Sequence, residues 1–296
     1  MRRVGIVGLG DMGLGMARNL IKGGFPLKGF DLRQTRLAEL EGIGGVRAAS
    51  CREVGESSDV AFVMVLNGDQ VEQVVLDRDG LAEGMSAGAT IIVSATINPS
   101  EVRELEAPLA ERGIQLIDMP VSGGKSGAEE GTLTLMAAAR ADVLDQNRDV
   151  MEAVSKAMFH VGEEIGQGQT VKAALQALIG TTFVAIFESL VLGAKAGIKG
   201  ETLYQVFAAS GVSSPLFKGC AKLIMDREFK DTGSQITTMY KDLGITMRMA
   251  RETGAAMFAT SAAYELFQCG ISMFPDEDNW SIVKLLEQVA DTEVTW

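Results

Sequence analysis

Hydrophobic and polar positions along the chain follow two patterns that meet near residue 162. In the first, short apolar runs alternate with stretches of helical period. Val4 to Val7, Phe25 to Phe30, Val46 to Ala48, Asp59 to Leu66, Ala89 to Val93 and Ile114 to Met119 read as strands. The series Leu9, Met12, Met16 and Leu20, then Leu37 to Leu40, Val71 to Leu76 and Ser100 to Arg112, read as the helices between them. Nearly continuous apolar strands, each followed by a helix, predict an α/β fold with a mostly parallel, doubly wound sheet covered on both faces. Thr132 to Ala138 and Ala157 to Val161 read as later strands towards one edge.

Beyond residue 162 the strand signal stops. Gly168 to Gly197 form one helical stretch that is apolar almost all round, through Leu175, Leu178, Phe183, Phe187, Leu190 and Leu192. About thirty residues at the helical rise reach roughly 45 Å. A helix without a polar face has to be covered on every side, so this one is expected to lie between domains and to pack on a second subunit. Residues 199–210, 214–227, 235–253, 257–273 and 279–290 continue as helices. The expected organisation is an α/β domain, 1–162, and an all-helical domain, 163–296, through which the chain assembles into a homodimer or homotetramer.

Composition narrows the function. Of 296 residues, 47% are hydrophobic and 22% charged, with 34 glycines and 6 prolines, which suits a globular protein with a large core and many glycine turns. The formal net charge of −12 argues against a nucleic-acid or anionic-membrane surface, so any anionic ligand has to be held by local devices. Cys51, Cys220 and Cys269 are widely spaced, odd in number and form no CxxC pair, which reads as reduced thiols in a cytoplasmic protein. His160 is the one histidine; it cannot build a metal site with them and reads as an ordinary strand-end residue, so no metal is expected. The first residues are too soon broken by glycines and Asp11 to form a signal peptide. No run of about eighteen uninterrupted apolar residues is present, and no membrane span is expected.

The candidate chemistry begins between the first strand and the first helix, where Gly8, Gly10 and Gly13 are spaced GxGxxG. Strand, glycine turn and helix in that order are what a dinucleotide pyrophosphate requires. Gly8 permits the tight turn, Gly10 lets backbone N–H groups approach the phosphates, and Gly13 lets the helix pack closely on its strand. Leu9, Asp11 and Met12 complete the loop and the helix start, whose free N–H groups and dipole favour an anion. Asp31 follows the second strand, eighteen residues after Gly13, and is placed to accept from a ribose 2′-hydroxyl. A carboxylate there repels a 2′-phosphate, so NAD is favoured over NADP. Arg33 and Arg36 read either as partners for a 2′-phosphate or as solvated charges at a helix start.

Two further segments carry polar groups at the expected ligand edge. In Asp118-Met119-Pro120-Val121-Ser122-Gly123-Gly124-Lys125, just past a strand, Ser122 supplies a hydroxyl and the two glycines expose N–H groups at a helix start, which suits a carboxylate. A plain glycine-rich connection is the other reading, and Lys125 is expected to point to solvent. Gly166-Gln167-Gly168-Gln169-Thr170-Val171-Lys172 opens the long helix, with Lys172 expected in its first turn. The dipole and the apolar surroundings both disfavour an ammonium there and suit Lys172 to proton transfer. Gln176, one turn on, shares its face. The alternative is an exposed lysine near a helix start.

These four segments, GLGDMGLGMARNL at 8–20, DMPVSGGKSGAEEGTL at 118–133, GQGQTVK at 166–172 and Lys241-Asp242-Leu243, resemble the β-hydroxyacid dehydrogenase family over the full length. The resemblance implies a Rossmann domain followed by an all-helical domain, with Lys172 as catalytic acid/base. It implies that Ser122, Gly123 and Gly124 bind the substrate carboxylate, and that Asn67, Thr96 and Lys241 lie near the cofactor. Leu66-Asn67-Gly68-Asp69 and Ser94-Ala95-Thr96-Ile97 look similar to the L-threonate dehydrogenase branch, as does Gln176. Leu175 departs from it, standing where that branch tends to carry His and other members Asn. The expected activity is therefore reversible hydride transfer between a nicotinamide cofactor and the carbinol carbon of a small hydroxycarboxylate, L-threonate-like. A 3-hydroxyisobutyrate dehydrogenase or a tartronate or succinic semialdehyde reductase is the alternative within the family. A catalytically silent dinucleotide-binding module is disfavoured by Lys172 and the Ser-Gly-Gly turn together. An imine reductase on the same scaffold is disfavoured by the lysine.

Overall fold

The computed structural model describes residues 2–296. The chain divides into two compact units, one ending at Lys172 and the other spanning Ala173–Trp296. The first unit opens with β1 (Val4–Val7), α1 (Asp11–Lys22), β2 (Leu27–Phe30), α2 (Gln34–Gly42), β3 (Val46–Arg47) and α3 (Cys51–Glu56). It continues through β4 (Val60–Val63), α4 (Gly68–Leu76), α5 (Leu81–Gly84), β5 (Thr90–Val93), α6 (Pro99–Arg103) and α7 (Glu106–Glu111). Then come β6 (Gln115–Asp118), β7 (Val121–Ser122), α8 (Gly124–Glu130), β8 (Leu133–Ala138), α9 (Ala141–Gln146), α10 (Arg148–Glu152) and β9 (Ser155–Gly162).

The sheet runs β3-β2-β1-β4-β5-β6, all parallel, and continues past β6 with β8, which is antiparallel to β6 and β7 and parallel to β9. Period-2 alternation sorts the side chains to two faces. Val4, Ile6, Phe62, Ile92 and Ile117 join one core with α1, and Val7, Ala61, Val63, Ile91 and Val93 join the other. Chain order reverses between β1 and β4, which opens a crevice at the carboxyl ends of the strands. The loops after β1, β2, β4, β5 and β6 all emerge at that edge.

The structure corrects two helical expectations. The helix expected over 100–112 is interrupted at Glu104–Leu105 and forms α6 and α7. Pro108 has no N–H for the carbonyl of Glu104, and its ring crowds that carbonyl. The long helix, α11 (Gln167–Lys195), begins at Gln167, so Lys172 lies in its second turn rather than its first. There the dipole acts less strongly, because its effect falls off within the terminal turn.

α11 runs on into the second unit, which also contains α12 (Gly200–Ala209), α13 (Pro215–Met225), α14 (Ile236–Thr253), α15 (Phe258–Met273) and α16 (Ile282–Ala290). Its length and apolarity match those of a membrane span. Yet Phe183, Phe187, Leu190 and Val191 fill the core of its own unit beside Phe217, Phe267 and Trp280. Cover is incomplete, however. Leu178 and Leu192 are 65% and 73% exposed, and with Val171 and Ala185 they recur every seven residues along one side of the helix.

Candidate active site

The glycine loop between β1 and α1 has the shape that its spacing predicts. Gly8 has φ +91°, and a Cβ on it would come within 2.3 Å of the Met64 carbonyl oxygen. A Cβ on Gly13 would lie 1.9 Å from the Gly8 carbonyl oxygen, so α1 reaches its strand only because position 13 has no side chain. Gly10 is the N-cap of α1, offers no side chain to the helix's first N–H groups, and has open space where a Cβ would be. An uncapped helix start beside an open glycine fits a pyrophosphate. In the first turn, the Asp11 carboxylate takes an ion pair from Arg36 at 2.7 Å, so what it offers a dinucleotide is backbone.

Asp31 is bound more completely than the spacing suggests. One carboxylate oxygen accepts from the Leu9 N–H at 2.7 Å, the other from the Arg33 N–H at 2.9 Å, and the Arg33 guanidinium closes on both at 3.0 and 3.2 Å. Burial raises the pKa of this carboxyl, but Arg33 and the two backbone donors outweigh burial and hold it below its ordinary value. Asp31 therefore clips the glycine loop to the end of β2. A ribose hydroxyl would have to share or displace the Arg33 fork, which meanwhile neutralises the charge that repels a 2′-phosphate.

Further along the edge, Asn67 caps α4, its Oδ1 accepting from the Gln70 N–H at 2.9 Å, so its remaining side-chain donor is the amide NH2. Thr96 follows β5 and is half-buried. Ser122 is the last residue of β7, and Gly123 and Gly124, at φ +135° and +61°, turn the chain into α8. Both glycines are exposed, and only glycine adopts that pair of conformations readily. Lys125 is half-buried rather than pointing to solvent. With Asp11, Arg18, Arg36 and Glu129 it lines a polar cavity of about 170 Å³. Asn19, on α1, donates to the Ala128 carbonyl at 2.7 Å and so joins the dinucleotide helix to the end of α8.

Lys172 is 6% exposed, on a helix start that the sheet edge holds firmly. Asp118, at the end of β6, is fully buried and accepts from the N–H groups of Gly166 at 2.9 Å and Gln169 at 3.2 Å. Burial pushes its carboxyl up to about 6 against those bonds. The Gln169 amide accepts from the Ile97 N–H at 3.1 Å and donates to the Ala95 carbonyl at 2.9 Å. Neither Asp118 nor Gln169 stood out in the sequence as a site residue. The signal was a polar pair inside DMP and GQGQ, each at an element boundary.

In the second unit, Gln176 Nε2 donates to Asp242 Oδ2, and Lys241 Nζ stands 2.9 Å from Asp242 Oδ1. Gln176 and Asp242 are both buried. Donation from Nε2 to the Asp242 oxygen fixes the amide orientation and leaves Gln176 Oε1 as the acceptor. The Gly8–Gly13 loop, Asp31, Asn67, Thr96, Ser122–Gly124 and Lys172 thus belong to the first unit. Gln176 and Lys241 belong to the second, joined through Asp242, which the Lys241-Asp242-Leu243 segment contains but to which no role was assigned from sequence.

Comparison with known proteins matches both halves. Residues 3–162 match the NAD binding domain of 6-phosphogluconate dehydrogenase, and residues 166–286 match the NAD-binding region of NADP-dependent 3-hydroxyisobutyrate dehydrogenase. The chain is 32% identical over 295 residues to 2-(hydroxymethyl)glutarate dehydrogenase of Eubacterium barkeri, covering 99% of this chain and 97% of that one. It is 32% identical over 285 residues to L-threonate dehydrogenase of Cupriavidus necator, covering 96% of each. The crystal structure of 3-hydroxyisobutyrate dehydrogenase from Salmonella typhimurium superposes with a TM-score of 0.88 at 31% identity, covering 96% of this chain and 100% of that one. A glycine cradle shaped for a dinucleotide, a buried lysine on the helix that follows the sheet, and relatives matched end to end place the chain in the β-hydroxyacid dehydrogenase family, NAD(P)-dependent oxidoreductases that act on the CH–OH group of hydroxyacids.

Proposed function

We propose that the protein oxidises, reversibly and with NAD, a small polyhydroxylated carboxylate of the L-threonate type. The observation that carries this reading is Lys172, buried on a helix start that is hydrogen-bonded to the sheet edge bearing the dinucleotide loop. The nicotinamide, when bound, takes up or returns the hydride. Lys172 Nζ accepts the hydroxyl proton on oxidation and gives it back on reduction. Ser122 and the N–H groups of Gly123 and Gly124 hold the substrate carboxylate, and Gln176 Oε1 accepts from a second hydroxyl. Thr96 and Asn67 flank the cofactor. The L-threonate dehydrogenase of Cupriavidus necator among the relatives supports this substrate class.

Leu175 favours a second reading. Three residues beyond Lys172, it puts an apolar side chain beside the lysine on the helix surface, which suits a substrate with a methyl group in place of a hydroxyl, such as 3-hydroxyisobutyrate. A panel of L-threonate, 3-hydroxyisobutyrate, L-serine and tartronate semialdehyde separates the two. The first reading expects the highest kcat/KM for L-threonate, and a preference for 3-hydroxyisobutyrate overturns it.

NAD is the cofactor of this reading, by a narrow margin because Arg33 neutralises Asp31. Arg33→Ala should widen the preference for NAD by removing the guanidinium that neutralises Asp31, and Asp31→Ser should reverse it. Paired kcat/KM values with the two cofactors test this, and a parent enzyme at least as efficient with NADP contradicts it. The Val171, Leu178, Ala185, Leu192 stripe is proposed to pack on a second copy in a cytoplasmic homodimer or homotetramer, because soluble monomers rarely leave such a run uncovered. Light scattering should give a multiple of the chain mass, and Leu178→Glu with Leu192→Glu should lower it to that of one chain. A monomeric parent at micromolar concentration rules the assembly out.

A further inference from the structure

We infer that Asp118 and Gln169 are positioning residues, a clasp that fixes the first turn of α11, and with it Lys172, against the two peptides that flank Thr96. The inference rests on Lys172 being the acid/base.

The two ends of the Gln169 amide are committed to the two sides of a single residue. Oε1 accepts from the Ile97 N–H at 3.1 Å and Nε2 donates to the Ala95 carbonyl at 2.9 Å, so the amide spans Thr96 as a neighbouring strand would. Gln169 is 1% exposed, and water does not compete for either bond. Lys172 stands three residues further on, on the same side of the helix. The loop that carries the cofactor-side threonine and the helix that carries the lysine are therefore joined by one rigid side chain.

Asp118 holds the same turn from the next strand. Its Oδ2 accepts from the N–H groups of Gly166 and Gln169, donors that the helix cannot satisfy itself. A Cβ on Gly168 would come within 2.7 Å of the Asp118 and Met136 carbonyl oxygens, so the turn already lies as close to the strand ends as a backbone can. Asp118 Oδ1 is buried with no hydrogen-bond partner among the described residues. A carboxylate in that state is costly, and a neutral acceptor would cap the helix at less desolvation cost. Keeping the charge strengthens the bonds to the turn, since charge-assisted hydrogen bonds are shorter and stronger. The hydride leaves the carbinol carbon while the proton leaves the hydroxyl oxygen bound to it, so the groups that receive them have to be aligned together, and a displacement of about 1 Å in either costs on the order of 10²-fold in rate.

The test is turnover per dinucleotide site, with sites counted by NAD titration, for Gln169→Ala, Asp118→Ala and Asp118→Asn. Counting sites removes any loss of folded protein, which would lower the number of sites without changing the turnover of each. Gln169→Ala and Asp118→Ala are expected to lose about 10²-fold in kcat per site, with the hydroxyacid KM within about threefold of the parent. Asp118→Asn, whose amide oxygen still accepts from the turn, should recover most of the loss. If both alanine variants turn over within about threefold of the parent, the clasp does not position the lysine. Should Gln169→Ala yield no sites, the two Asp118 variants decide. Lys172→Ala run alongside separates the two ideas. An active Lys172→Ala removes the acid/base reading, and with it this inference. An inactive one beside unimpaired clasp variants removes the clasp alone.

Discussion

Lys172→Ala will abolish most turnover while leaving dinucleotide binding close to that of the parent. Removing a general acid/base costs about 10²–10⁴-fold in rate, and the Asp31 clip that holds the glycine loop is made by Leu9 and Arg33. Lys172→Arg should fail almost as badly, because a guanidinium stays protonated and cannot accept the hydroxyl proton. Lys125→Ala makes the contrast. It removes a cation from the cavity between α1 and α8, not the group that exchanges the proton, and should keep most of the activity. Steady-state kinetics with a cofactor titration on all three variants tests the set. A Lys172→Ala enzyme that retains more than about a tenth of the parent rate excludes the lysine as acid/base.

Gly13→Ala should lose both stability and dinucleotide affinity. Its Cβ would stand 1.9 Å from the Gly8 carbonyl oxygen, a backbone atom with no rotamer to move away. The helix start has to back off its strand, and overpacking of this kind costs about 1–3 kcal/mol, or roughly 10–10²-fold in affinity if it all falls on binding. Gly10→Ala separates fold from function. Its Cβ would meet only an Arg33 nitrogen at 3.9 Å, so the thermal midpoint should stay put while affinity falls, because the new methyl occupies the space left for a phosphate. Thermal denaturation and NAD titration on both variants check this. Equal loss of stability in the two would mean that Gly10 is open for no ligand.

The strand-and-helix alternation was legible because buried parallel strands carry mostly apolar side chains, so Val4 to Val7 declares itself, and Asp59 to Leu66 contains the shorter strand Val60–Val63. So was the glycine loop, whose spacing is dictated by the lack of room for a Cβ at Gly8 and Gly13. Interrupted helices were less so. Pro108 splits α6 from α7, but the apolar period runs on across the break. What the sequence concealed is the network of polar side chains that bond across elements distant in the chain. Asn19 reaching Ala128, Gln169 reaching Ala95 and Ile97, and Asp242 binding Gln176 span 109, 74, 72 and 66 residues. No periodicity reports such pairs. The double engagement of Asp31 was hidden for a different reason, since a motif says which residue type is needed but not how many donors compete for it.

Hydride transfer from the carbinol carbon is the step that the whole arrangement implies, and isotope labelling follows it directly. A small hydroxycarboxylate that the enzyme turns over, deuterated at its carbinol carbon, is incubated with the enzyme and NAD, and the reduced nicotinamide is recovered and weighed by mass spectrometry. The account predicts one deuterium in each reduced nicotinamide. Reduced nicotinamide that carries hydrogen from solvent, or none formed with any such acid by an enzyme that binds NAD, would contradict it.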